Sequence, residues 1–271
     1  MSERAASPFV GAFTRVGRKR DHNEDHVVVA PAEWAGAACR VAVVCDGIAA
    51  GAHSELASAG AARAAVDALL AAAGSDPGDA LRRAVAIAHR VVCTADIGAI
   101  EGRAGPGTTL VAAVARETRL DVAWVGDSRA YLVPPPPDRA ELLTHDHSWV
   151  NLVVDSGTLT EEDARASRWA QMITKCVGPL EDPDPYHPPE PSLRSVAIAP
   201  GSVVVLCSDG FWGEFDGPES LAAAVATGAT GATGAADTDD TGDAAVLAAW
   251  LVDRAFELGA DDDITVAVII M

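Results

Sequence analysis

The sequence predicts an α+β protein in which strands and helices stack in layers around one core. Three observations point there. Short apolar runs rich in β-branched residues end in an acidic residue three times, at residues 41–46, 122–127 and 203–209. Two alanine-rich helical stretches, residues 53–73 and 79–100, lie between the first run and the second. The strands at 110–115, 120–125 and 130–133 are joined by connections too short for a parallel crossover, so they read as an antiparallel meander.

Taken in order, residues 1–8 read as a flexible tail and 9–271 as one folded domain, opening on a strand at 9–14. The charged stretch Arg18-Lys19-Arg20-Asp21-His22-Asn23-Glu24-Asp25 precedes a strand at 27–29. Basic residues beside two carboxylates at a strand edge suit an anion held next to a metal. Arginine matches phosphate bidentately, which makes Arg20 the candidate clamp; a solvated charged loop is the alternative. Gly74 ends the first helix, and Asp76-Pro77 suits the start of the second, in which His89 reads as a packing or surface residue. Gly105-Pro106-Gly107 turns into the strand at 110–115, and Pro134 to Pro137 form a stiff loop. Asp146 is placed to cap a helix to residue 155 and Thr160 another over 161–167. Residues 172–177 read as a short strand and 181–191, with five prolines, as an extended loop. Strands at 196–198 and 203–207 join through Pro200-Gly201. The Thr/Gly/Ala/Asp tract at 227–243 reads as a surface loop, followed by a helix over 244–258 and a last strand over 264–270.

The 271 residues suit a single large domain, and no linker separates two cores. The formal net charge of −19 argues against a basic face for nucleic acid or anionic lipid. Five cysteines, with no C-x-x-C pair, read as reduced thiols rather than metal ligands. No apolar run approaches the ~18 residues of a membrane span, and no secretory core opens the chain. The expectation is a soluble cytoplasmic monomer that binds neither nucleic acid nor membrane.

The acidic residues carry the chemistry. Glu24, Asp25, Asp46, Asp127, Asp209 and Asp262 each stand at a strand edge. A carboxylate at the end of a buried strand is costly unless a cation meets it, and glycine beside it, as at Gly47, lets a backbone carbonyl approach the same point. Oxygen-only clusters bind hard divalent cations. Two such ions ~4 Å apart repel by about 17 kcal/mol at an effective dielectric of 20, so several carboxylates are needed to hold them. The pair would lower the pKa of a bridging water towards neutrality. One Asp-Gly alone is as readily a turn former.

In order along the chain, these residues resemble the metal-dependent protein phosphatases, the type-2C or PPM serine/threonine enzymes. Arg20 to Asp25 resembles the family's R-x-x-N-[EQ]-D element, and Cys45-Asp46-Gly47 its first metal motif. Gly107-Thr108-Thr109-Leu110 is similar to G-T-T-L, Gly126-Asp127-Ser128-Arg129 to G-D-S-R, and Thr144 to His147 to T-x-D-H. Ser208-Asp209-Gly210-Phe211-Trp212 resembles S-D-G-[LFI]-W, and Asp262 to Val266 the closing D-N-x-[ST]-V. The resemblance implies a four-layer α-β-β-α sandwich of two antiparallel sheets with a metal cleft at one end. It implies that Asp46, the Gly47 carbonyl, Asp209 and Asp262 hold two divalent cations, manganese or magnesium. Glu24 and Asp25 would act mainly through bound water, Asp127 would serve a weaker third metal, and Arg20 would hold the phosphate. The implied activity is a bacterial signalling phosphatase. It would act on phosphoserine and phosphothreonine in proteins modified by a cognate kinase, by direct attack of water bridging the metals. Residues 155–170 would form a flap beside the cleft.

Three departures bear on that reading. Gly51 stands where the family's bacterial pattern has histidine, with His53 two residues on as the candidate general acid. Gly213 replaces an acidic residue four after Asp209, which weakens the third site, and Asp263 replaces the usual asparagine. The alternatives are a catalytically weak relative that binds phosphoproteins or metal as a regulator, and a generic acidic cation-binding protein.

Overall fold

The computed structural model describes residues 8–49, 51, 53–95, 105–179, 187–232 and 243–271. In chain order the strands among them are β1 (Val10–Arg15), β2 (Asp25–Trp34), β3 (Ala37–Asp46), β4 (Leu110–Arg116), β5 (Arg119–Val125), β6 (Arg129–Val133), β7 (Glu141–Leu142), β8 (Ser192–Ala197), β9 (Val203–Cys207) and β10 (Ile264–Ile270). The helices are α1 (Ser54–Ala71), α2 (Pro77–Thr94), α3 (Trp149–Asp155), α4 (Glu161–Arg165), α5 (Asp209–Trp212), α6 (Pro218–Ala232) and α7 (Ala244–Leu258).

The strands form two five-stranded sheets, ordered β1-β10-β9-β6-β7 and β2-β3-β4-β5-β8. Every pairing is antiparallel. Side chains alternate across a strand, and here both faces are covered. Val41, Val43 and Cys45 of β3 pack under α1 and α2, while Ala42 and Val44 meet the other sheet. Val205 and Cys207 of β9 pack against α6 and α7, while Val204 and Leu206 meet the β2-β3-β4-β5-β8 sheet. The layers are therefore helix, sheet, sheet, helix, as the resemblance implied. Uninterrupted apolar runs in an antiparallel protein follow from that double burial.

Local chemistry sets the helix ends. Asp76 accepts from the Asp79 N–H at 3.0 Å and Pro77 fills the first turn of α2. Alanines 57, 61, 62 and 65 of α1 are buried, and their small side chains let the helix lie close on its sheet.

Several sequence expectations change. The step from β5 to β6 is not a meander: residues 126–128 carry the chain from one sheet to the other, as does the step from β8 to β9. Asp146 does not cap α3. Its carboxylate is held by Arg129 through Nε at 3.0 Å and Nη2 at 2.7 Å, and Ser148 caps the helix by accepting from the Asn151 N–H. Residues 172–177 form no strand; Ile173 and Val177 make isolated bridges to Ser148 and Thr108. The tract at 227–243 opens as helix, because α6 runs to Ala232. The tail at 1–7, the end of the second helical stretch at 96–100, residues 180–186 of the proline-rich loop and residues 233–242 lie outside the described residues.

Candidate metal centre

Both sheets bring their acidic residues to one end of the sandwich. Asp25 and Asp46 are direct partners across β2 and β3. Asp209 follows β9 and Asp262 precedes β10, and those strands pair with each other. Asp209 is not a strand-end residue but the first residue of α5, which Ser208 precedes. Arg20 donates to Asp262 Oδ2 at 2.6 Å and lies 3.4 Å from Glu24 Oε2. The Gly47 N–H donates to the Glu24 carbonyl at 3.1 Å. A Cβ on Gly47 would come within 2.6 Å of that carbonyl and 2.8 Å of the Ser54 carbonyl, so only glycine fits.

Hydroxyls that sequence reasoning did not assign lock these groups. Ser208 Oγ donates to Asp25 Oδ2 at 2.7 Å and accepts from the Thr265 N–H at 3.0 Å, so it ties the two sheets together beneath the cluster. Thr109 Oγ1 accepts from the Asp46 N–H at 3.0 Å and meets Ser128 Oγ at 2.7 Å. The signal was present, since both lie inside the quoted motifs, but a hydroxyl's partner depends on which strands become neighbours. Asp263 likewise has a structural use: its oxygens accept from the Gly17 and Glu24 N–H groups at 3.0 and 2.8 Å, pinning the loop that carries Arg20. Asp127 sits on the crossover between sheets, and its carbonyl accepts from Trp212 Nε1 at 3.1 Å. The Arg129 guanidinium stacks 3.5 Å over the Trp212 ring.

The sequence model of the protein phosphatase 2C family matches residues 17–252, an interval that holds every acidic residue above except Asp262 and Asp263. The chain belongs to the protein phosphatase 2C family. Serine/threonine protein phosphatase PstP of Mycobacterium tuberculosis is 30% identical over 197 residues, covering 72% of this chain and 34% of PstP. The chain spans about a third to a half of the length of the curated relatives it matches. Its fold is similar to the S. agalactiae serine/threonine phosphatase, with a TM-score of 0.71, 26% identity, and 97% and 99% of the two chains covered. It is also similar to the catalytic domain of PstP in complex with two manganese ions, with a TM-score of 0.69, 26% identity and 96% of each chain covered.

In this phosphatase 2C chain the donor set fits a pair of hard divalent cations. Burial, and then the charges of Asp25 and Asp209, push the Asp46 carboxyl well above the usual carboxylate range. Burial raises Asp25 too, against the opposing hydroxyls of Thr265 and Ser208. Burial and then Asp262 raise Asp209, and burial and then Asp209 push Asp127 up to about 7. Carboxyls that raise one another in this way call for positive charge between them. Arg20 supplies some at one edge, towards Asp262 and Glu24.

The remaining expected residues lie apart from this cluster. His53 precedes α1, with Nδ1 3.7 Å from Glu55 Oε1, and among the described residues its side chain meets none of the aspartates. Glu214, next to Gly213, lines a groove between α6 and α7 instead. No described helix is long and apolar enough to cross a membrane.

Proposed function

We propose that this chain is a metal-dependent protein serine/threonine phosphatase. The observation that carries the reading is the convergence of Asp46, Asp209 and Asp262 from both sheets on one point in a member of this family. Asp46, Gly47, Asp209 and Asp262 would hold two cations, manganese or magnesium. Glu24 and Asp25 would act mainly through bound water, and Asp127 would serve a weaker third position. The bound pair supplies charge neutralisation for the phosphoryl oxygens and acidification of the attacking water.

The chain's own residues supply the rest. Arg20 presents its remaining N–H donors at the cleft edge to the phosphoryl oxygens, and its contact with Asp262 holds it there. Ser208 holds Asp25, and Thr109 holds the backbone of Asp46, so the carboxylates keep their places as charge develops. His53 is turned to Glu55, and in this reading the departing serine or threonine oxygen takes its proton from solvent. Substrates are phosphoproteins made by a cognate kinase. The test is release of phosphate from a phosphothreonine peptide with manganese or magnesium, against the same reaction with chelator. Equal rates would overturn the reading.

A second reading rests on Gly51. With His53 turned to Glu55, the chain would be a weak catalyst that binds phosphoproteins as a regulator. Turnover of p-nitrophenyl phosphate with manganese separates the two.

A further inference from the structure

Beside the aspartate cluster lies a second group of donors of different chemistry. His22 stands on the loop before β2, Glu24 ends that loop, and Glu55 lies in the first turn of α1. One donor atom from each of the three lies within 4.8 Å of the others. The Glu24 carboxylate has two distinct sides. Oε2 faces Arg20 at 3.4 Å, and through Arg20 the aspartate centre. Oε1 faces His22 Nε2 at 3.6 Å. Glu24 is only 8% exposed, yet among the described residues no donor comes within hydrogen-bond distance of Oε1. That oxygen is left able to accept a further bond, on the side of the carboxylate that faces His22. On its other side Glu55 Oε1 lies 3.7 Å from His53 Nδ1, which is outside this group of three.

We propose that His22, Glu24 and Glu55, with the fourth position left to water, form a separate site for a zinc-like divalent cation on the rim of the cleft. The donor chemistry selects the ion. The aspartate cluster is all oxygen and suits magnesium or manganese, whereas imidazole with carboxylate suits zinc. Bonds of about 2.1 Å in a tetrahedron place donors about 3.4 Å apart. The His22–Glu24 separation of 3.6 Å is already near that. Glu55 closes the remainder by rotating a half-exposed side chain. Glu24 thereby belongs to both centres, with one oxygen turned to each.

The inference does not need the chain to be a phosphatase. Its test is zinc binding to the whole chain in excess magnesium, followed by equilibrium dialysis and elemental analysis. One zinc per chain is expected to remain. His22→Ala and Glu55→Gln should each weaken its binding at least ~10-fold, as loss of a ligand does. Asp209→Asn, which damages the aspartate cluster, should leave that zinc in place. The His22 imidazole resonances should shift on zinc addition in the parent and in Asp209→Asn. Zinc binding unchanged by His22→Ala and Glu55→Gln, or lost in Asp209→Asn alone, would overturn the rim site. Failure of phosphate release with manganese would overturn only the catalytic reading.

Discussion

Arg20 Nη2 lies 2.6 Å from Asp262 Oδ2, although 242 residues separate the two in the chain. The contact raises the pKa of Arg20 above its already high value, mainly through this hydrogen bond, so the guanidinium is charged at any working pH. It also fixes the fork at the edge of the carboxylate cluster. Arg20→Ala should raise KM for a phosphothreonine peptide by about 10- to 100-fold, the worth of one charge-assisted hydrogen bond, and weaken inhibition by inorganic phosphate in proportion. The effect should fall mainly on KM, because ground and transition states share the contact. Steady-state kinetics with phosphate as inhibitor decide this; unchanged constants would return Arg20 to the role of a loop residue.

Asp46→Asn and Asp209→Asn should abolish turnover and yet stabilise the chelated protein. Both carboxyls are held above their ordinary range by burial and by neighbouring charge, so removing one relieves repulsion. The same logic sets a pH dependence without metal. Asp127 has a folded-state value of about 7, above its unfolded value. Its contribution is present in full below the unfolded carboxylate range and is lost as pH rises through about 7. Thermal melts in chelator should therefore fall across that window, and added manganese should reverse the fall.

His147 sets an opposite trend on the acid side. Its Nδ1 accepts from the Gly126 N–H at 3.1 Å and its Nε2 pairs with Ser192 Oγ at 3.0 Å, which leaves Nδ1 no room for a proton. Burial, and then the Lys175 charge, lower its pKa from 6.5 to about 4, against Asp146 and together with His145. A depressed folded value means stability present above pH 6.5 and lost as pH falls towards about 4. His147→Gln should show a smaller loss over that interval in urea titrations. An equal loss would remove His147 from the account.

Ser208 links the two sheets through Asp25 and Thr265. Ser208→Ala should weaken manganese binding about 10- to 100-fold, as loss of a group that orients a ligand does. Saturating manganese should restore most of kcat. Calorimetric titration checks the first effect and initial rates the second; a kcat defect that manganese does not repair would mean Ser208 acts otherwise.

Without a side-chain acid, the rate should fall steeply as leaving-group pKa rises across a series of aryl phosphates, since general acid help is worth roughly 10²–10⁴-fold. His53→Ala should leave that slope unchanged, because His53 meets Glu55 and not the aspartates. Installing histidine at residue 51 is not a clean repair. A Cβ on Gly51 would meet the Gly105 carbonyl at 2.9 Å and the Ile48 carbonyl at 3.1 Å, so Gly51→His should lower the melting temperature before it can donate a proton. A slope that steepens in His53→Ala would identify His53 as the donor after all.

The parts of the fold that were legible are those in which neighbouring residues state their own environment. Val203–Cys207, Ala244–Leu258 and Ile264–Ile270 have the bounds that their apolar patterns predict. Asp76-Pro77 and Thr160 start their helices because capping is a matter of a few adjacent atoms. The six acidic residues were legible as a set, because each closes or opens an apolar run and their order matched one family's motifs.

What the sequence determined by itself was the donor chemistry: carboxylates in number, one arginine beside them, no histidine at residue 51. Only the tertiary structure decided how those donors divide. Sheet membership is a long-range choice, so nothing local told that residues 126–128 change sheets or that Asp146 would be taken by Arg129. Hydrogen-bond direction is likewise set by neighbours distant in sequence. Glu24 was visible as one carboxylate; packing gave it two unlike faces, one to Arg20 and one to His22, because a strand edge can look both into a cleft and out along its rim.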